Sequence, residues 1–96
     1  MKAYIVTIDS EVTDREGMAG LASQLLQEVE AHGGRYLVRG GPISVYGGDL
    51  APARAAISEF DSLEQAKALL ESERFTELRK QRGKFVQANT FVVEGV

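Results

Sequence analysis

From Ala3 to Asp9 the chain reads Ala-Tyr-Ile-Val-Thr-Ile-Asp, and neither alternate set of side chains suits water. Tyr4, Val6 and Ile8 would project to one side of a strand, Ala3, Ile5 and Thr7 to the other. A strand with one wet face alternates apolar with charged residues, so this one needs cover on both sides. Asn89 to Glu94 repeats the pattern, with Thr90 and Val92 on one side and Phe91 and Val93 on the other. Whatever the chain folds into must cover both faces of at least two strands.

The cover available within the chain is limited. Thr13-Asp14-Arg15-Glu16 has the form of a capping box, with the Thr13 hydroxyl taking an orphan amide. Met18, Leu21, Ala22, Leu25, Leu26 and Val29 then recur at helical spacing as one apolar stripe. His32 falls in the last turn and Gly33 just past it, as a cation and a left-handed cap at a helix end. Residues 34 to 46 read as one long strand, bulged at Gly40-Gly41-Pro42 because proline donates no ladder bond. Gly47 to Pro52 supplies a turn, and Arg54 to Phe60 runs back as the next strand.

Ser62 and Gln65 form a second capping box, before a short helix whose apolar face is Leu63, Ala66, Leu69 and Leu70. Ser72 and Glu73 begin another helical piece, with Phe75 and Leu78 inward and Arg79, Lys80 and Arg82 outward, ended by Gly83. The three arginine and lysine side chains read as a solvated face, with a lesser reading in which they overhang a pocket mouth and attract an anion.

The order is βαββαβ with an extra short helix before the last strand, an α+β domain. A chain of 96 residues holds one core, so residues 1–96 are one domain. Helices of this size cover one face of a four-stranded antiparallel sheet. The simplest cover for the second face is the same sheet of another copy, which predicts a homodimer through the sheets.

Net charge is −3, which argues against a nucleic-acid binder dominated by phosphate contacts. No stretch approaches the ~20 apolar residues of a membrane helix, and the apolar run at the N-terminus is too short for a signal peptide. A cytoplasmic protein with no membrane partner is expected. Without cysteine and with one histidine, zinc or haem ligation by several soft side chains is not expected, and no clustered Asp/Glu motif suggests magnesium. No metal or cofactor is therefore implied. The glycine pairs at 33–34, 40–41 and 47–48 fit no phosphate-binding fingerprint, and there is no Gly-x-Ser-x-Gly elbow.

Gly-Gly-Arg-Tyr-Leu-Val-Arg-Gly-Gly at 33–41, Arg54 with Ser58-Glu59-Phe60, the Ser72-Glu73-Arg74-Phe75 helix start and the closing Val92-Val93-Glu94-Gly95 together resemble a known family. It is the one called domain of unknown function 1330, within the dimeric α/β-barrel, ferredoxin-like superfamily. The resemblance spans nearly the whole chain and implies a ferredoxin-like protomer whose sheet pairs with another to form a barrel. Superfamily relatives include cofactor-independent monooxygenases, muconolactone isomerases and haem-degrading enzymes, so the fold alone decides no function. The residues matching the family pattern are Arg35, Tyr36, Arg39, Arg54, Glu59, Phe75 and Glu94. Asp61 stands where members often carry proline, and Phe75 where a tyrosine is common.

Arg39 and Glu59 fall on strands expected to be neighbours and are the candidate catalytic pair. The plain reading is a cross-strand or intersubunit ion pair. The functional reading has Arg39 orienting a small anionic or carbonyl metabolite while Glu59 accepts a proton, in an isomerase- or oxygenase-type enzyme without cofactor. Tyr36, His32, Arg54, Phe75 and Glu94 are the candidate ligand-binding residues. For His32 a favourable helix-end interaction is sufficient explanation, and Tyr36 and Tyr46 read first as packing residues. The alternative to an enzyme is a non-catalytic dimeric module that binds a metabolite or supports assembly.

Overall fold

The computed structural model describes residues 1–96. Its elements are β1 (Ala3–Val12), α1 (Arg15–Ala31), β2 (Arg35–Arg39), β3 (Arg54–Phe60), α2 (Leu63–Glu71), α3 (Glu73–Arg82) and β4 (Val86–Glu94). The strands form one antiparallel sheet in the order β2-β3-β1-β4, the ferredoxin-like arrangement. Both strands read as apolar on two sides, β1 and β4, lie side by side, and each is longer than its apolar run.

Register assigns the faces. Ala3, Ile5, Thr7 and Asp9 of β1 lie opposite Phe60, Ser58, Ala56 and Arg54 of β3. Ala3, Ile5 and Phe60 pack with Leu21, Leu25 and Val29 of α1, Ala66 and Leu69 of α2, and Phe75 and Leu78 of α3. Phe60, Leu69 and Leu78 are fully buried, each contributing roughly 1.5–3 kcal/mol of transfer free energy. The other face carries Tyr4, Val6 and Ile8, opposite Glu59, Ile57 and Ala55 on one side and Val93, Phe91 and Asn89 on the other. No helix lies over it, and Phe91 and Val93 remain about half exposed, at 50% and 48%. None of the helices is long and apolar enough to cross a membrane.

Local signals explain most boundaries. Ser62 caps α2 by accepting from Gln65 N at 3.2 Å, and Ser72 caps α3 by accepting from Phe75 N. Gly33, at φ +81, takes the left-handed position after α1, where a side chain is strained. The cap of α1 is Asp14, not Thr13: Asp14 accepts from Gly17 N at 3.0 Å. Thr13 is engaged elsewhere, since its hydroxyl and its amide both donate to Phe85 O, at 3.0 and 2.7 Å. Phe85 also accounts for Gly17, because a Cβ there would stand 2.8 Å from the Phe85 ring.

The long bulged strand expected over residues 34 to 46 is not formed. β2 ends at Arg39, and the last ladder-like bond beyond it runs from Gly40 N to Ala55 O, at 2.9 Å. Gly40 turns left-handed at φ +76 and Pro42 has no amide to donate, so the chain leaves the sheet there. Residues 41–53 contain no strand or helix and carry Ile43, Val45, Tyr46 and Leu50 largely exposed. A bulge does occur, but earlier: the pairing steps from Tyr36 opposite Ser58 to Val38 opposite Ile57, which leaves Leu37 as the extra residue.

Candidate functional site

That one-residue bulge decides where the arginines go. By simple alternation Arg35, Leu37 and Arg39 would share the uncovered face with Glu59. The extra residue at Leu37 reverses the alternation beyond it, so Val38 faces outward and Arg39 lies opposite Ala56, on the helix side. Arg39 and Glu59 are therefore on opposite faces of the sheet, and the proposed catalytic pair does not exist. Glu59 is instead opposite Arg35, which donates to it through Nε at 3.0 Å and Nη2 at 2.6 Å. This pair sits on the uncovered face.

On the helix side, Arg39 reaches over the Tyr36 ring, 4.8 Å from its centroid, and donates to Ala22 O of α1 at 2.6 Å. Beneath it a cleft of ≈ 40 Å³ opens between sheet and helices. Tyr36, Ser58, Thr7 and Thr90 form its polar floor, and Leu25, Val29, Leu69 and Phe75 an apolar wall. Four of the seven arginines of the chain surround it: Arg39, Arg54, Arg79 and Arg82. None of its lining residues is Asp, Glu, His or Lys.

Arg79 and Arg82 come from α3, and the outward placement expected for them is reversed. Phe75, Leu78, Arg79 and Arg82 stand at i, i+3, i+4 and i+7, one inward stripe that starts apolar and ends cationic. Lys80, off the stripe, is exposed. Arg82 is 9% exposed and meets the fully buried Asp9 of β1, its Nη2 lying 2.6 and 2.7 Å from the two carboxylate oxygens. Arg79 is half-buried, with Nη2 donating to Leu70 O at 3.1 Å and its guanidinium 5.9 Å from the Phe75 ring. The Nε–H groups of both arginines are buried without an acceptor. Buried donors normally have partners, and those of charged groups are the costliest to leave unmet.

Burial pushes the Tyr36 phenol above the usual tyrosine range, against the opposing pull of Arg39, Arg82 and Arg54. The ring therefore stays protonated at neutral pH and offers the cleft an O–H donor.

Of the residues singled out from sequence, Tyr36, Arg39, Arg54 and Phe75 meet at the cleft. Glu59 lies on the far face, Glu94 is exposed at the end of β4, and His32 is the C-cap of α1, its Nδ1 donating to Glu28 O at 2.9 Å. Sequence reasoning passed over Asp9 and read Arg79 and Arg82 first as a solvated face, with a place over a pocket mouth as the lesser reading. The helical spacing from Phe75 was the available signal for the two arginines; Asp9 continued the odd-numbered set of β1.

The fold has many solved counterparts. A cofactor-independent oxygenase, SnoaB from Streptomyces nogalater, superposes with a TM-score of 0.73 at 7% identity, covering 99% of this chain and 93% of that one. A protein of unknown function from Rhodopseudomonas palustris gives 0.70 at 13% identity, covering 99% and 82%. A de novo designed protein gives 0.66 at 14% identity over the whole of both chains. At such identities the likeness is one of fold. No curated protein matches the chain. The family model described as domain of unknown function (DUF1330) matches residues 2–96, and the chain belongs to that family.

Proposed function

We propose that this chain is a homodimeric small-molecule-binding protein, with one ligand site per subunit in the cleft between sheet and helices. The observation that carries the reading is the gathering of four arginines, with no carboxylate among the lining residues, around one cleft between sheet and helices; two of them also keep a buried Nε–H without an acceptor. Each such buried donor calls for a partner, and a bound ion, water or ligand is one that the cleft can hold. The dimer is supported by the apolar sheet face that no helix covers.

Proton transfer by a protein carboxylate, the role first considered for Glu59, has no support in the cleft. Asp9 is held by Arg82 outside the lining, and no carboxylate or imidazole borders the space. A second reading is favoured by the likeness to the SnoaB oxygenase: catalysis without cofactor on a substrate ionised within the cationic cleft. There the arginines would stabilise the ionised substrate and Tyr36 would orient it.

Untargeted mass spectrometry of molecules released on denaturing the native protein tests the binding reading. An organic small molecule is expected from the wild type and not from Ala22→Trp, in which an indole fills the cleft. Release of the same molecules from both proteins would refute it. Oxygen consumption when the released molecule is returned to the protein in chelator-treated buffer separates enzyme from binder.

A further inference from the structure

Resting on that reading, we infer that the ligand is a small organic carboxylate, its head gripped by Arg79 and Arg82 and its apolar body lying against Leu25, Leu69 and Phe75. Four guanidiniums converge on one small space, with Asp9 as the nearest counter-charge, in a chain whose net charge is −3. Gathering cations in this way is unfavourable unless something anionic joins them. Asp9 engages Arg82 through Nη2 only, which leaves the Nε–H of that guanidinium unpartnered. Arg79 repeats the arrangement: Nη2 is tied to Leu70 O and Nε–H has no acceptor. Each guanidinium is thus anchored through Nη2 and keeps one buried donor unmet, which a small shift of the side chain would bring to the cleft.

The size and lining narrow the class. A space of ≈ 40 Å³ is about that of three waters, enough for a carboxylate head with the remainder of the ligand directed toward the exposed Arg39. One wall is apolar, which an inorganic anion would leave unused. Arginine forks match planar carboxylates, and Nε–H donors complete such a fork. The Tyr36 hydroxyl supplies a further donor on the floor of the cleft.

NMR titration of the intact chain, following the arginine Nε–H signals, tests this. Benzoate serves as the carboxylate, benzamide as its neutral counterpart of equal outline, and inorganic phosphate as an anion without an apolar body. Benzoate is expected to shift the Arg79 and Arg82 Nε–H signals and to bind at least about tenfold more tightly than benzamide or phosphate. Arg79→Gln, which keeps hydrogen-bonding capacity without charge, is expected to weaken benzoate at least about tenfold. Because Arg82→Gln alone would strand Asp9, the second variant is Asp9→Asn/Arg82→Gln, with the same expectation. Equal affinity for benzoate and benzamide would overturn the carboxylate assignment and leave the cleft a small-molecule site. Tighter binding of phosphate would overturn it as well. If neither aromatic probe moves any cleft signal, the inference falls together with the binding reading.

Discussion

Asp9 and Arg82 are separated by 73 positions and meet at the base of the cleft, where neither has water to fall back on. Removing one charge from such a pair strands the other. Asp9→Asn is therefore expected to cost about 3 kcal/mol, measured by urea denaturation, with Asp9→Asn/Arg82→Gln recovering part of the loss. Tyr36 makes a separate prediction through its raised pKa. Below pH 10 folded and unfolded chains both keep the phenolic proton. As pH rises through the ordinary value of 10.0, the unfolded chain releases it first, so stability falls from there until the folded phenol ionises too. Denaturation of the wild type beside Tyr36→Phe from pH 8 to 11 should show the wild type losing stability more steeply above pH 10. Parallel curves would mean that the phenol is not desolvated.

At the level of elements, the Leu37 bulge controls the composition of the site. Deleting Leu37 would only remove the bulge and leave Arg39 opposite Ala56, whereas inserting one residue between Val38 and Arg39 moves Arg39 opposite Ala55 and so turns it to the face bearing Glu59. In that insertion variant any ligand affinity that depends on Arg39 should fall to that of Arg39→Gln while the circular dichroism of the fold is kept; an unchanged affinity would refute the role given to the helix-side placement of Arg39. This element also marks where sequence reasoning stops. The three helices and β3 were legible because capping serines, left-handed glycines and 3.6-residue periodicity are local. The end of β2 was misplaced because a glycine pair followed by proline signals an interruption without saying whether the strand resumes. A slip of one residue leaves no compositional trace, so Arg39 and Glu59 stand apart where the sequence suggests a pair, while Arg54 and Tyr36 both border the cleft. In α3 the stripe was legible through Phe75 and Leu78, but charge at Arg79 and Arg82 outweighed spacing.

Over the whole molecule, the sheet has one face under helices and one bare. The bare face predicts two chains per particle in sedimentation equilibrium, and Phe91→Glu, at a half-exposed position on it, is expected to give single chains. A wild type that sediments as one chain at micromolar concentration would remove the dimer and leave the cleft in place. The two faces are reached by alternate residues of the same strands. Along β1, positions 3, 5, 7 and 9 border the cleft side and positions 4, 6 and 8 the bare side. Descendants of this chain can thus acquire new chemical tastes at one set of positions while the neighbouring set goes on choosing company, and a single insertion or deletion exchanges the two duties for every residue downstream in its strand.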